Sequence, residues 1–344
     1  MRPSPMVSIC IPSYNGGEYF KKTLNSIIPH LNADYELIVS DDCSTDGTYQ
    51  EALRAANECR YVKSYQNLHN LGMDKNFHQA VKLARGRYVW FCGQDDLLGE
   101  EIIKTVPEIL KSNDLSILNL NFSQYDHEME ICLMKSFFER TTFNKESLST
   151  HSLLVFDGPD DYFRTFTQPP SFLPSVVMLR EYWSDSDAKK FYGTHFVQVG
   201  LVLLNFGSGR IGAYTTPLIK GRVPNNQWQS NGNKLFEIMT GDILAKKIAF
   251  ESNVRLPISI LKRDIKKYTL NYIFLIYECR LRGLTTEFIN FTALKYIYIS
   301  GALYWIYILP VGVMPIYLLK FFIIPLKFLK KILLKVPAIE ILRG

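Results

Sequence analysis

The chain has 344 residues, of which 47% are hydrophobic and 21% are charged, and its formal net charge is +6. This composition excludes a disordered protein and suffices for one large domain or two ordinary ones. Residues 295–344 hold seven basic residues and one acidic residue, so the rest of the chain is electrically neutral. That balance excludes a general nucleic-acid-binding surface on the body of the protein, and no nucleic-acid partner is expected.

Short β-branched segments alternate with amphipathic segments along the first 121 residues. The predicted strands are Val7–Ile11, Glu36–Ser40, Arg60–Tyr65, Tyr88–Cys92 and Leu115–Asn121. The predicted helices are Glu18–Leu31, a segment that begins near Gly47, Asp74–Ala84 and Glu100–Leu110. This alternation predicts right-handed parallel crossovers, and therefore an α/β fold with a doubly wound, mostly parallel sheet.

Each of the first four predicted strands is followed by a polar cluster. These clusters are Pro12-Ser13-Tyr14-Asn15, residues 41–47 (DDCSTDG), Asn70-Leu71-Gly72 and Gln94-Asp95-Asp96. Ligands of doubly wound sheets bind at the carboxyl ends of the strands, so we expect the clusters to converge on one site. The first loop lacks the GxGxxG pattern and the chain lacks GxxxxGK[ST], which argues against a dinucleotide enzyme or a P-loop kinase.

Asp95 and Asp96 follow a strand of large apolar residues. Two adjacent carboxylates in such a place repel each other unless a cation neutralises them. A hard divalent cation, Mg²⁺ or Mn²⁺, with phosphate oxygens completing its shell would do so, and this predicts a metal site at Asp95 and Asp96. The alternative is that both carboxylates only stabilise the start of the next helix. Asp41 ends the second strand and is a candidate acceptor for a nucleobase N–H or a ribose hydroxyl.

The four clusters, in this order and at these spacings, resemble the inverting family 2 glycosyltransferases of GT-A fold. The motifs are PSYN, SDDCSTDGT, NLG and GQDD, and the resemblance covers residues 6–125 well and 126–230 loosely. Within the family, the sequence is similar to enzymes of bacterial surface polysaccharide synthesis, including the abequosyltransferase-like group.

The resemblance implies a set of nucleotide-sugar-binding residues. They are Pro12, Tyr14, Asn15 and Asp41 around the nucleotide, Asp42 and Asn70 beside the ribose and diphosphate, and Gln94, Asp95 and Arg222 near the phosphates. Asp95 would be the metal-binding end of the family's DxD motif, whose first position is Gly93 in this chain. Arg222 follows a segment, Pro217–Gly221, that resembles the family's strand leading to an arginine; the alternative is an ordinary surface charge.

The family's catalytic base lies in a Glu-Asp pair about a hundred residues after DxD, and this pair is missing. Residues 191–198 read FYGTHFVQ instead, and His195 is a candidate base because an unperturbed imidazole titrates near neutral pH. The alternative is a histidine packed in the core. Asp185 and Asp187 are rival bases, although the run SDSDAKK is also typical of a solvated loop.

The chain is divided by prediction into four parts. Residues 1–122 form the nucleotide-sugar-binding half, 123–235 an appended acceptor-binding and catalytic half, 236–294 a helical region, and 295–344 a membrane-associating tail.

Tyr296–Leu319 is uncharged but contains two prolines and many aromatic rings. The lysines between 320 and 335 share one face of a helix, which is typical of a helix lying among anionic lipids of the inner leaflet. A re-entrant hairpin and a helix packed on the protein itself are alternatives.

Taken together, these features predict an enzyme that transfers a sugar, with inversion, from a nucleotide-sugar donor to an acceptor carried by membrane lipid. The resemblance implies that this acceptor is a polyprenyl-diphosphate-linked oligosaccharide. The resemblance implies a role in O-antigen or capsule synthesis. The chain enters a strand directly, without a signal-peptide pattern, so we expect the enzyme at the cytoplasmic face of the bacterial inner membrane. The alternatives are a nucleotidyltransferase acting on a sugar phosphate, and a membrane-tethered nucleotide-sugar-binding protein without turnover.

Overall fold

The computed structural model describes residues 4–143, 145–146, 148, 152–223 and 232–265, together with Pro315 and Tyr317. The predicted helical region is thus described only as far as residue 265. The predicted tail, 295–344, lies outside the described residues except for Pro315 and Tyr317, and its membrane association stays a prediction. Within the described ranges, no helix combines the length and the apolar character that crossing a membrane requires.

The chain divides into two compact units. The first consists of Met1–Val223 with Ile248–Ile260, and the second of Pro224–Lys247 with Leu261–Gly344. The first unit contains the sheet and all the predicted site residues.

The first unit is built on one large mixed sheet. Its strands are β1 Val7–Ser13, β2 Tyr35–Asp41, β3 Val62–Gln66, β4 Tyr88–Phe91, β5 Leu97–Leu98, β6 Ile117–Tyr125, β7 Cys132–Met134, β8 Leu153–Phe156, β9 Val176–Leu179 and β10 Ile211–Arg222. They are ordered β3-β2-β1-β4-β9-β6-β10-β5, with β7 paired to β6 and β8 paired to β10. Strands β3, β2, β1 and β4 are parallel, as predicted.

The helices follow the predicted alternation. They are α1 Gly17–Ile27, α2 Thr48–Glu58, α3 Met73–Leu83 and α4 Glu100–Ser112, followed by Phe138–Thr141, Pro159–Thr165, Asp185–Lys189, Val197–Leu204 and Gly232–Ser252. Helix α1 buries Phe20, Leu24 and Ile27, the face that the sequence predicts. It ends four residues earlier than predicted, in a 3₁₀ turn that contains Pro29, because proline lacks the N–H that would continue the helix.

The sheet is more antiparallel than the sequence predicts. Strand β9, from the predicted acceptor half, lies between β4 and β6 and is antiparallel to both. Strand β6 runs through residue 122 and pairs in parallel with β10. The predicted nucleotide and acceptor halves therefore share one hydrogen-bonded sheet. The sheet is mixed, and β9 was not predicted because a four-residue strand carries too little periodicity to be recognised.

Register places the polar clusters side by side. Ser13 at the end of β1 pairs with Asp41 at the end of β2, and Cys10 pairs with Phe91 at the end of β4. Both faces of these strands are buried, so the polar residues that follow them are the first that can reach solvent. The clusters converge on the edge formed by the carboxyl ends of β1, β2 and β4, called the carboxyl edge below.

Candidate active site

Arg222 is held against the two carboxylates that follow β4. Strand β5, immediately after Asp96, pairs antiparallel with β10 near its end. The backbone N–H of Arg222 donates to Oδ1 of Asp96 at 3.1 Å, and its Nε donates to the carbonyl oxygen of Asp95 at 2.9 Å. Arg222 is only 5% exposed. The alternative of an ordinary surface charge is therefore wrong, and the structure brings together three of the predicted residues.

Tyr19 and His127 complete the surroundings of the Arg222 guanidinium. The guanidinium carbon lies 4.6 Å from the centre of the Tyr19 ring, and a terminal N–H donates to the carbonyl oxygen of His127. The Tyr19 hydroxyl is hydrogen-bonded to His127 Nε2 at 2.5 Å. The other ring nitrogen of His127 is buried and has no hydrogen-bond partner among the described residues. Sequence analysis missed both residues, because neither lies in a motif and 108 positions separate them.

The carboxyl groups of Asp95 and Asp96 are held in an environment that disfavours two negative charges. Burial raises the pKa of Asp95, and the nearby Arg222 guanidinium partly opposes this. Burial and the neighbouring Asp95 carboxylate raise the pKa of Asp96 well above its usual range. A divalent cation would relieve the repulsion between them.

The carboxylates of Asp95 and Asp96 fit such a cation, although they are only two ligands. A Cβ on Gly93 would lie 2.5 Å from Asp96 Oδ2 and 3.1 Å from Asp95 Oδ1, so glycine lets both carboxylates converge on one point. Over the described ranges, the chain offers no group of three or more His, Cys, Asp or Glu side chains suited to a metal ion. Asp95 and Asp96 would therefore be its protein ligands, with oxygens of a bound phosphate and water completing the shell.

Gln94 joins the loops that follow β1 and β4. Its Oε1 accepts from the Tyr14 backbone N–H at 2.9 Å, and its Nε2 donates to the Tyr14 carbonyl at 3.1 Å. A Cβ on Gly16 would come within 2.8 Å of Oε1, so this close approach requires glycine. The Tyr14 side chain is 47% exposed at the carboxyl edge, where an aromatic ring is available for stacking. The predicted nucleotide-sugar contacts of Gln94 and of half-buried Pro12 stay predictions.

Asn15 and Asp41 organise the loop after β2. Asn15 adopts a left-handed φ of 49°; its N–H donates to the Ser44 hydroxyl, and its Oδ1 accepts from the N–H of Thr45 at 2.9 Å. Asp41 is fully buried and accepts from the Ser44 N–H at 3.0 Å and from Gln66 Nε2 at 3.1 Å. A nucleobase at Asp41 would have to share these carboxylate oxygens with the protein's own donors.

Asp42 and Asn70 shape the loop that precedes α3. The Asp42 carboxylate, 2% exposed, accepts from the backbone N–H groups of Leu71 at 2.8 Å and Gly72 at 2.9 Å. Exposed Asn70 accepts from the same Gly72 N–H at 2.9 Å. The structure gives Asp42 an internal role in holding this loop, while Asn70 lies at the surface, and their contacts with ribose and diphosphate stay predictions.

His195 lies half-buried in the turn before helix Val197–Leu204, and a buried carboxylate holds that turn. Asp74, in the first turn of α3, accepts hydrogen bonds from the backbone N–H groups of Gly193, His195 and Val197. Sequence analysis did not single out Asp74, because a carboxylate there is also an ordinary feature of a helix N-terminus.

Asp187 is a weaker candidate base than His195. Its Oδ2 accepts from the Ser184 hydroxyl at 2.8 Å, while its own N–H donates back to that hydroxyl, so the pair caps helix Asp185–Lys189. Lys190 forms an ion pair with Asp187 at 2.7 Å and lowers its pKa. A carboxylate already stabilised in its charged form is a poor proton acceptor.

Comparison with known proteins identifies the family. Residues 8–155 match the family model described as glycosyl transferase family 2. Over 297 residues, the chain is 27% identical to an abequosyltransferase of Salmonella typhimurium, covering 80% of this chain and 84% of that protein. Residues 8–155 are thus identified as a glycosyl transferase family 2 domain. This domain favours the transferase over the alternatives of a nucleotidyltransferase and a binding protein without turnover.

Solved structures share the fold of this glycosyltransferase. TarS of S. aureus, residues 1–349 in complex with UDP-GlcNAc, superposes with a TM-score of 0.51 at 18% identity, covering 89% of this chain and 90% of that one. The mannosyltransferase PcManGT of Pyrobaculum calidifontis, in complex with GDP-Man and Mn²⁺, also gives 0.51, at 13% identity, covering 96% of this chain and 84% of that one. These likenesses support the GT-A fold.

A buried histidine makes the stability of the glycosyltransferase depend on pH. Trp183 Nε1 donates to His78 Nδ1 at 2.8 Å, so the His78 proton is on Nε2 and faces Asp185 at 3.1 Å. Burial lowers the pKa of His78 below 6.5, an effect that Lys82 reinforces and Asp185 opposes. The unfolded chain therefore binds a proton at His78 more readily than the folded chain does. As a result, the free energy of unfolding decreases as pH falls from about 6.5 through the lowered pKa.

We expect the pH dependence to weaken when His78 is replaced. In urea unfolding between pH 7.5 and 5, His78→Phe should lose less stability on acidification than the native enzyme, although it is less stable throughout. The matched variant His69→Phe, at an exposed position, should show the same change in the free energy of unfolding with pH as the native enzyme. If the free energy of unfolding changed equally with pH in the native enzyme and in His78→Phe, the lowered pKa of His78 would be contradicted.

Proposed function

We propose that this glycosyltransferase moves a sugar from a nucleoside diphosphate donor to an oligosaccharide carried by polyprenyl diphosphate, with inversion at the anomeric carbon. The observation that carries the proposal is the contact of Arg222 with both Asp95 and Asp96 at the carboxyl edge, which combines a cation with a carboxylate pair suited to a divalent metal. The likeness over most of the length of an abequosyltransferase supports a role in O-antigen or capsule assembly.

The proposed reaction is a direct displacement. His195 removes the proton from an acceptor hydroxyl, whose oxygen forms a bond to the anomeric carbon while the bond from that carbon to the diphosphate breaks. Attack from the face opposite the leaving group inverts the configuration. Arg222 stabilises the charge that grows on the departing diphosphate. Mg²⁺ or Mn²⁺ held by Asp95 and Asp96 would supply further neutralisation of that charge.

The lipid-linked acceptor and the site of action complete the proposal. A polyprenyl-linked acceptor stays in the membrane, so the enzyme must work at its surface. In the sequence of the tail, the lysines between 320 and 335 are spaced to share one face of a predicted helix, a pattern typical of helices bound to inner-leaflet lipids. On this basis we place the enzyme at the cytoplasmic face of the bacterial inner membrane.

A thermal-shift panel of UDP, GDP, CDP and dTDP, each with and without Mn²⁺, tests the donor part. A nucleotide at a hundred times its Kd stabilises the folded state by about 2.7 kcal/mol, which raises Tm by several degrees. We expect one of the four to do so with Mn²⁺. Inorganic diphosphate is the matched control, because it has the charge of the ligand but no base.

Two results would contradict the proposal. The first is a panel in which no nucleotide raises Tm, and the second is one in which inorganic diphosphate raises it as much as the best nucleotide. With the donor class known, release of nucleoside diphosphate in the presence of lipid-linked oligosaccharide measures turnover. The anomeric configuration of the product, read by NMR, tests inversion.

A further inference from the structure

Asp74 connects helix α3 to a distant turn of the chain. Its side chain lies in the first turn of α3 and the residue is 6% exposed. Oδ2 accepts from the N–H groups of Gly193 at 2.8 Å and His195 at 3.0 Å, and Oδ1 accepts from that of Val197 at 3.2 Å. One carboxylate thus receives three backbone N–H groups from a single five-residue turn.

That turn has a backbone conformation that needs support. Gly193 has a φ of 86° and His195 a φ of 63°, both in the left-handed region. For a histidine this conformation is strained, and such residues persist where surrounding contacts hold them. The N–H of His195 itself donates to Asp74, so this bond holds the backbone position from which the imidazole side chain extends.

The three backbone N–H groups stabilise the ionised form of Asp74. Burial raises the pKa of its carboxyl group, and the three backbone N–H groups oppose that rise by stabilising the ionised form. Hydrogen bonds to an ionised acceptor are roughly twice as strong as neutral ones. The carboxylate also faces the N-terminus of helix Val197–Leu204, whose dipole favours a negative charge.

The other side of Asp74 leads to the loop before α3. Asp42 at the carboxyl edge binds the N–H groups of Leu71 and Gly72, three and two residues before Asp74. Two buried carboxylates therefore act at the two ends of this short segment. Asp42, which follows β2, binds its start, and Asp74, at its end, binds the His195 turn. Residues 71–74 form a continuous, hydrogen-bonded connection between the predicted nucleotide loops and the candidate base.

We propose that Asp74 is a positioning residue for glycosyl transfer, which holds the turn 193–197 so that His195 is presented to the acceptor hydroxyl. The inference rests on the proposed function for the role of His195. It assigns Asp74 no contact with either substrate. Its effect on turnover must therefore pass through His195.

Hydrogen–deuterium exchange tests the structural half without any activity. Asp74→Asn keeps one carbonyl oxygen for the bonds to Gly193 and His195 but presents an NH₂ group to the N–H of Val197, whereas Asp74→Ala removes all three acceptors. We expect amide exchange in a peptide covering 193–197 to accelerate in Asp74→Asn and further in Asp74→Ala. The matched control is Asp160→Asn, an exposed carboxylate in the first turn of helix Pro159–Thr165, which should leave this peptide unchanged.

A double-mutant cycle tests the functional half. With the donor found in the nucleotide panel, Asp74→Asn should lower kcat by about 10- to 100-fold, because small misplacements of a catalytic group have effects of this size. The donor KM should stay nearly unchanged. In a His195→Gln background, Asp74→Asn should cause little further loss, since its effect passes through His195.

The outcomes separate this inference from the proposed function. Absence of turnover by the native enzyme with every donor would contradict the proposed function, while the exchange measurement still reports on Asp74. Unchanged exchange in 193–197, or an equal fall in kcat with and without His195, would overturn the role of Asp74 even if the native enzyme is an active transferase.

Discussion

We expect Asp95→Asn to lower the kcat of glycosyl transfer on the order of a thousandfold while the protein still folds. The substitution preserves shape but removes the negative charge, and with it one of the two proposed cation ligands. Asp95 lies beside buried Asp96 and next to Arg222, where charge is little screened by solvent. The measurement is nucleoside diphosphate release at saturating donor and Mn²⁺.

The Mn²⁺-dependent part of the thermal shift provides a second readout for Asp95. It should disappear in Asp95→Asn, because the asparagine side chain is a weak ligand for a hard cation. Asp114→Asn is the matched control, since the side chain of Asp114 is 91% exposed. If Asp95→Asn kept native turnover and the native response to Mn²⁺, Asp95 would have only a structural role at the start of α4.

We expect Arg222→Ala to lower kcat by about a hundredfold, with Arg222→Lys recovering part of the loss. Lysine restores a positive charge but lacks the planar fork that donates to the carbonyl oxygens of Asp95 and His127 and stacks on Tyr19. The Arg222 guanidinium also lowers the pKa of Asp95. Its removal should raise that pKa further and move the acid limb of the kcat/KM profile toward neutral pH.

The control for Arg222 is Lys220→Ala on the same strand. Lys220 is exposed, and its ammonium group lies 5.5 Å from the centre of the Tyr125 ring. Lys220→Ala should leave kcat and the acid limb of the kcat/KM profile unchanged. If Arg222→Ala reduced turnover no more than Lys220→Ala, the contacts of Arg222 would serve only to fasten the end of β10.

The parts of the site that sequence analysis predicted correctly follow from local rules. Parallel strands bring their carboxyl ends to one edge, so Asp41 and Asp95 converge however the rest of the chain is arranged. Arg222 was found through a resemblance and needed the structure to show that it is buried. The individual contacts were less predictable: Gln94 binds the Tyr14 backbone, and Asp42 binds the loop before α3.

The missed residues share a physical cause. Tyr19, His127 and Asp74 act through partners more than a hundred positions away along the chain. Such contacts depend on how separate elements pack, and a single side chain leaves no trace of them in local periodicity. The same limit applies to β9, whose four residues lie in the sheet between β4 and β6, strands that come from distant parts of the chain.

By itself, the sequence determined the alternation of strands and helices, the polar loops at the carboxyl edge and the family resemblance. These depend on periodicity and turn chemistry within some thirty residues, which a chain encodes locally. Only the tertiary structure decided that β9 is antiparallel, that Arg222 lies buried against Asp95 and Asp96, and that Asp74 holds the His195 turn. Those features arise from burial and hydrogen bonding between distant segments, which exist only once the sheet has formed.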